Sequence, residues 1–226
     1  MSEQTWEQPL ISVDVVAVKL DKKEGQLKVF LGLRKFEPFK DAYSLPGVLL
    51  SPHERVIEAA HRAVITKVLI PDSAIRTIRD IGISDNPNRD PRGATLSVVN
   101  MAIIDSDFDA VGTEDVKLVS IDDISAEDLP FDHENLVLKA LTQLGALLMN
   151  DKEISKALLG DEFKTTELYD VYASLWSFMP SVITAPDLSN LSRRLKTTRG
   201  ITAKSAESTT SLTSSRGRPS SSWTWE

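Results

Sequence analysis

The stretch that decides the fold lies at residues 43–70 and reads YSLPGVLLSPHERVIEAAHRAVITKVLI. Its second half carries apolar residues at helical spacing, which predicts an amphipathic helix with one buried face. Ser51 is the expected N-cap, followed by Pro52 at the first helical position and Glu54 closing a capping box. The predicted buried face comprises Val56, Ala59, Ala60, Ala63, Val64 and Val68.

The same stretch resembles the Nudix box of the diphosphate hydrolases, G-x5-E-x7-R-E-U-x-E-E-x-G-U, in which U is a bulky aliphatic residue. Aligned without gaps, the box positions that the chain keeps are Glu54, Arg62, Val64 and Ile70. The two box glycines are replaced by Val48 and Leu69, and three box glutamates by Ala63, Thr66 and Lys67. The resemblance implies a Nudix-like fold that has lost most of its metal-binding carboxylates.

The three replaced glutamates bear directly on catalysis. Diphosphate hydrolysis requires Mg²⁺ or Mn²⁺, which are hard cations held by carboxylate oxygens. Ala63, Thr66 and Lys67 have i, i+3 and i+4 spacing, so they are expected to share one helix face. A methyl, a hydroxyl and an ammonium group hold no divalent cation, and the ammonium repels one. The sequence therefore predicts a protein that is not an enzyme, with no catalytic residue, no metal site and no cofactor.

Composition predicts a cytoplasmic protein of two domains. A chain of 226 residues, 41% of them hydrophobic, is long enough for one substantial core and one small one. The chain has no cysteine, which excludes disulfides, cysteine nucleophiles and cysteine-based zinc sites. The first residues, MSEQTWEQ, do not resemble a signal peptide, and no apolar run approaches the roughly 20 residues of a membrane span.

Charge is unevenly distributed along the chain. The formal net charge is −7, but residues 186–226 contain seven basic and three acidic residues, so they carry +4 and the first 185 residues carry −11. A basic end on an acidic body is typical of a segment that binds an anionic partner. A tail that only increases solubility has the same composition. Residues 202–222 are rich in serine and threonine and are expected to be partly disordered.

The first half of the chain alternates strand patterns with the helix described above. Residues 10–20 and 27–34 predict a hairpin closed by a turn at 22–25. Residues 75–82, 95–104 and 116–121 predict three further strands. A long amphipathic helix, LPFDHENLVLKALTQLGALLMND, follows at 129–151. Its predicted N-cap is Asp132, with Phe131 packing on Leu136 as a hydrophobic staple.

The last third has the pattern of a winged helix-turn-helix. A core-facing helix at 165–177 precedes a second helix, which we expect to begin with Thr184 as cap, to bury Leu188, Leu191 and Leu195, and to end at Gly200. The other side of that helix combines cations for phosphates with amide and hydroxyl groups for base edges. A strand containing Trp223 and Trp225 would form the wing. The predicted DNA-binding residues are Ser189, Asn190, Ser192, Arg193, Arg194, Lys196, Thr197, Arg216 and Arg218. A solvated helix face and a flexible cationic tail are the alternative explanation.

In this order, the motifs resemble those of the Nudix-related transcriptional regulators, the NrtR family of NAD metabolism. The motifs are FEPFKDAYSLPG, the degenerate box, RDPRG, LPFDH, DEFKTTELYDVY, NLSRR and GRP. The resemblance implies an α+β protein, with an N-terminal Nudix-like α/β/α sandwich followed by a C-terminal winged helix-turn-helix domain. It implies an effector domain at 1–125, a linker helix at 126–150 and a DNA-binding domain at 151–226. A homodimer on a palindromic double-stranded DNA operator, released by ADP-ribose, is the partner arrangement that it implies.

The functional hypothesis is therefore a DNA-binding transcriptional regulator, a repressor of NAD-related genes, that senses ADP-ribose or a related ligand. A diphosphate bound without metal requires cationic donors. The predicted effector-binding residues are Arg34, Glu54, Arg62, Arg89 and Arg92. Surface ion pairs are the alternative role for these arginines. Three alternative functions stay open: an active Nudix hydrolase of ADP-ribose or a related nucleotide, a sugar-responsive regulator of the same family, and a ligand-binding scaffold without affinity for DNA.

Overall fold

A computed structural model describes residues 9–109, 113–204 and 221–225. Within those ranges the chain forms ten strands and five α-helices. The strands are β1 (Leu10–Asp21), β2 (Gln26–Leu33), β3 (Tyr43–Ser44), β4 (Gly47–Leu49), β5 (Ile75–Ser84), β6 (Thr95–Ile104), β7 (Val116–Ser120), β8 (Glu162–Lys164), β9 (Ile201–Ala203) and β10 (Ser222–Trp225). The helices are α1 (Val56–Lys67), α2 (His133–Leu147), α3 (Lys152–Leu159), α4 (Thr165–Phe178) and α5 (Leu188–Thr197).

A mixed sheet of seven strands organises the first part of the chain. Its main order is β3-β2-β1-β6-β5, with β4 paired to β1 and β7 paired to β2. β1 and β6 run parallel, and the other pairs are antiparallel. The hairpin and the three later strands are confirmed, whereas the short strands β3 and β4 were not predicted. Their two and three residues are too few for a recognisable alternation.

Helices cover both faces of this sheet, because successive side chains of a strand point to opposite faces. On β1, Val13, Val15 and Ala17 pack with the buried residues of α1. Val16, Val18 and Leu20 point to the other face and pack with Leu136, Val137 and Leu141 of α2. The predicted α/β/α sandwich is thereby confirmed.

Helix α1 begins later than the sequence predicts. Its N-cap is Arg55, and the capping box is formed with Glu58. Ser51 and Glu54 belong to the preceding turn, in which the Glu54 carboxylate accepts the Ser51 N–H at 3.0 Å. His53 has φ +66°, which ends any helix that starts at Ser51. The predicted apolar face is otherwise confirmed, since Ala59, Ala60, Ala63, Val64 and Val68 are buried.

The C-terminal part combines two packed helices with a second sheet. Helices α4 and α5 pack together, and β8, β10 and β9 form a second, antiparallel sheet. Trp223 of β10 is buried and donates its indole N–H to Thr165 Oγ1 at 2.8 Å. Helix α3 and strands β8 and β9 were not predicted. Thr202 and Ser222 lie in strands, while most of the serine-rich segment between them falls outside the described residues.

One hydrophobic cluster runs without interruption through both parts of the chain. It includes sheet residues such as Val16, helix residues such as Leu144, Leu175 and Leu191, and Trp223 of β10. The predicted domain boundaries at residues 125 and 150 stay a prediction. The hydrophobic cluster does not mark them, since it continues through both parts of the chain. In the described part of the chain, no helix is both long and apolar enough to cross a bilayer.

Candidate functional site

A cleft of about 390 Å³ opens beside the end of β2 and the C-terminal end of α1. Its volume lies in the range of roughly 300–1,000 Å³ that is usual for small-molecule sites. All four predicted effector arginines line it: Arg34, Arg62, Arg89 and Arg92. A second cleft of about 200 Å³ adjoins it and shares Arg34 and Lys67. The structure therefore brings together arginines that lie far apart in the sequence.

Arg89 is the buried centre of an ion-pair network in the wall of the cleft. Its guanidinium donates to Asp132 Oδ1 at 2.7 and 2.9 Å and to Asp14 Oδ2 at 3.0 Å. Burial by itself would lower the pKa of Arg89, but the bonds to Asp132 and the charge of Asp14 raise it. Asp132 is thus an acceptor for Arg89 and Ser84, and its side chain does not cap α2 as predicted.

The position of the Asp14 side chain requires a glycine at residue 47 in the cleft. Ser97 Oγ and Arg89 both donate to Asp14 Oδ2, at 2.6 and 3.0 Å. Its other carboxylate oxygen lies against Gly47, where an added Cβ would sit 2.2 Å from it. The ungapped box alignment places Val48 at the first glycine, but the residue that must lack a side chain is Gly47.

Two further arginines are also neutralised by carboxylates of the chain. Arg62 and Glu54 form two hydrogen bonds of 2.8 Å, and these bonds lower the pKa of Glu54 to about 2. Arg92 donates to both oxygens of Asp90, at 3.0 and 2.7 Å. Glu54 is therefore an anchor for Arg62, and it is not a free ligand or base.

Arg34 has a different environment. It donates to the Pro38 carbonyl at 2.8 Å and lies 4.8 Å from the centre of the Phe131 ring. Burial lowers its pKa, and the nearby charge of Arg92 lowers it further. Phe131 also makes an edge contact with Phe39, with ring centres 4.9 Å apart. These contacts place a cation on an aromatic surface at the cleft.

His133 lies in the cleft wall as a buried, neutral side chain. Its Nδ1 accepts the Leu45 N–H at 3.1 Å, so the ring proton resides on Nε2. Burial lowers its pKa to about 4.

The former box positions do not form a cation site. Ala63 is fully buried against the sheet, whereas Thr66 and Lys67 are exposed and line the smaller cleft. Within the described ranges, no group of three or more His, Asp or Glu side chains could hold a metal ion. The divalent cation of the Nudix enzymes therefore does not fit the residues present. Leu69, at the second box glycine, keeps a left-handed φ of +55°.

Helix α5 has one exposed polar face and one buried apolar face. Asp187 is its N-cap and accepts the Asn190 N–H at 2.7 Å, so the predicted cap at Thr184 was wrong. Leu191 and Leu195 are buried as predicted, but Leu188 is 43% exposed. The predicted DNA-binding residues that are exposed on this helix are Ser189, Asn190, Arg193, Arg194, Lys196 and Thr197, and Ser192 is half-buried. Arg216 and Arg218 lie outside the described residues.

Comparison with known sequences and structures relates the chain to regulators and to hydrolases. No protein-family model matches the chain. It is 30% identical over 175 residues to the ADPR responsive transcriptional repressor NtrR of Acinetobacter baylyi, covering 73% of this chain and 65% of that protein. It is 31% identical over 136 residues to an ADP-ribose pyrophosphatase of Methanocaldococcus jannaschii, covering 57% of this chain and 71% of that enzyme.

Solved structures of NrtR from Shewanella oneidensis have the same fold. The complex with a 27mer DNA matches 96% of this chain and 93% of that chain, with a TM-score of 0.68 and 22% identity. The NUDIX domain of that protein, complexed with ADP ribose, matches 64% of this chain and 94% of that domain, with a TM-score of 0.52 and 26% identity. The sequence relatives and the two-part fold together show that the chain belongs to the family of Nudix-related transcriptional regulators, the NrtR family.

Proposed function

We propose that the protein is a DNA-binding transcriptional repressor of NAD-related genes, whose affinity for DNA is controlled by ADP-ribose in the cationic cleft. The observation that carries the proposal is the pairing of this cleft with an exposed basic helix face in one chain. A cytoplasmic homodimer would place two copies of α5 on the two halves of a palindromic operator. The relatives named above support ADP-ribose as the ligand.

The DNA-binding part of the proposal rests on α5. Two buried leucines hold the helix on α4, so its polar face projects outward. Arg193 donates to Asn190 Oδ1 at 2.9 Å, which orders a cation and an amide side by side. Arginine suits phosphates and guanine, and asparagine suits adenine edges.

Replacing Arg193 tests this interface. We expect Arg193→Ala to weaken operator binding about tenfold and to reduce the dependence of affinity on salt, because one phosphate contact is lost. The measurement is an electrophoretic mobility shift with the region upstream of the protein's own gene, repeated at several salt concentrations. Arg55→Ala, an exposed arginine at the start of α1, is the matched control. Equal loss of DNA and ADP-ribose binding in Arg193→Ala would contradict the separate roles of the two parts.

We also propose that the protein does not hydrolyse ADP-ribose. The support is the burial of Ala63, the engagement of Glu54 by Arg62, and the lack of a carboxylate cluster in the described ranges. Incubating the purified chain with ADP-ribose and Mg²⁺ or Mn²⁺, and separating products by chromatography, should show no AMP above background. Turnover at an enzyme-like rate, on the order of 1 s⁻¹, would favour the hydrolase alternative.

A further inference from the structure

The cleft contains five cationic side chains, and they fall into two classes. Arg62, Arg89 and Arg92 are each paired with carboxylates of the chain. Within the described part of the chain, Arg34 and Lys67 form no ion pair. These two side chains therefore carry a positive charge that no carboxylate of residues 9–109, 113–204 and 221–225 neutralises by direct contact.

Close packing between β2 and α1 brings the two cations to the same place. An added Cβ on Gly32 would lie 2.5 Å from the Lys67 carbonyl oxygen, so the end of α1 rests directly on β2. Arg34 follows Gly32 by two residues, and both Arg34 and Lys67 line both clefts. Only a residue without a side chain permits this approach.

The two cations suit a diphosphate. A diphosphate diester carries one ionised oxygen on each phosphate, so two cations neutralise it. Ammonium supplies three donors and guanidinium a planar fork, and both form strong hydrogen bonds to phosphate oxygens. A magnesium ion has this neutralising role in a hydrolase, where it also activates water. Lysine supplies the charge without activating water.

We propose that Lys67 is a tethered cation which, with Arg34, binds the diphosphate of the ligand without a divalent metal. The proposal rests on the effector cleft described above and names the chemistry by which that cleft recognises its ligand. It also explains why a lysine stands where the Nudix box has a carboxylate. The substitution removes a metal ligand and supplies a positive charge in place of the charge of the metal ion.

Calorimetric titration of the full-length chain with ADP-ribose tests the metal requirement. Measurements are made in EDTA and in MgCl₂ at equal ionic strength. The wild-type dissociation constant should agree within about twofold between the two buffers, since no divalent ion takes part. A tenfold or greater loss of affinity in EDTA would overturn the proposal.

Variants of Lys67 test the tethered cation itself. Lys67→Met should weaken ADP-ribose binding about tenfold, the effect of losing one charge-assisted hydrogen bond, and Lys67→Arg should keep most of the affinity. Lys156→Met is the matched control, because Lys156 also lies in the last turn of a helix and does not line the cleft. Circular dichroism confirms that each variant folds. Wild-type affinity in Lys67→Met would overturn the proposal.

Inorganic pyrophosphate, as a second probe, separates this inference from the proposed function. If pyrophosphate binds in EDTA and Lys67→Met abolishes that binding, the cation pair is supported even when ADP-ribose does not bind. In that case ADP-ribose is not the effector, and the result contradicts the proposed function but not the cation pair. If neither probe binds the wild-type chain, the cation pair is overturned as well.

Discussion

At the scale of single residues, His133 shows how burial determines a charge state. The ring is 3% exposed and accepts a backbone hydrogen bond from Leu45, so the folded protein holds it neutral. Its pKa falls to about 4 from the ordinary value of 6.5. Between those values the unfolded chain binds a proton and the folded chain does not, so stability decreases as the pH falls from about 6.5 to about 4.

We expect His133 to account for a loss on the order of 3 kcal/mol across that pH window, since each pKa unit corresponds to about 1.4 kcal/mol. Urea unfolding between pH 8 and pH 4 measures the slope, and His133→Gln should flatten it. A resonance of His133 Hε1 that titrates near pH 6.5 in the folded protein would show that the ring is not held neutral.

At the scale of elements, a hydrogen bond ties β2 to α4. The pairing of β2 with β7 begins at Lys28, so the Leu27 N–H has no strand partner on that side. Ser174 Oγ of α4, which is buried, accepts this N–H at 3.2 Å. The strand that leads to Arg34 at one end is therefore held at its other end by the helix that supports α5.

Removing the Ser174 hydroxyl should destabilise the folded protein. Ser174→Ala leaves a buried N–H unpaired, and we expect it to reduce the free energy of unfolding by about 1–3 kcal/mol. Chemical denaturation followed by tryptophan fluorescence measures the change. Ser177→Ala is the control, because it is the same substitution on the exposed side of α4. Equal stability of the two variants would show that Ser174 does not satisfy the Leu27 N–H.

At the scale of the whole molecule, the continuous core joins the cleft to the basic helix. Sheet, α2, α4, α5 and β10 share one hydrophobic cluster, so a change in the cleft can reach α5 through packed elements. Ligand binding releases DNA only if the ligand favours a geometry that binds DNA less well. Thermodynamic linkage then requires the effect to be reciprocal.

We expect saturating ADP-ribose to weaken operator binding by about 5–150-fold, and bound operator to weaken ADP-ribose binding by the same factor. Fluorescence anisotropy of a labelled duplex gives the first factor, and calorimetry of the DNA complex gives the second. Lys156→Met serves again as a control that changes neither. Independent binding of the two ligands would contradict the regulatory mechanism.

Patterns that repeat over short distances were predictable from the sequence alone. Alternation along residues 10–20 and 95–104 predicts strands, and the apolar stripe of α1 predicts which of its residues are buried, because these periods follow from backbone geometry. The combination of motifs identified the family and predicted that a Nudix-like part is followed by a DNA-binding part. The late start of α1 was not predictable in this way, since it depends on the turn at His53 and on the Arg62 contact that holds Glu54.

By itself, the sequence predicted the longer strands of the first sheet, the helices α1, α2, α4 and α5, and the family. Only the tertiary structure decided which cations of the cleft pair with carboxylates of the described residues. Arg89 meets Asp14 and Asp132, which lie 75 and 43 residues away, so its charge is neutralised by contacts that no local pattern contains. Lys67 and Arg34 come together because Gly32 lets a helix end touch a strand. Ion pairing acts through space, and residues distant in the chain become neighbours only when the chain has folded.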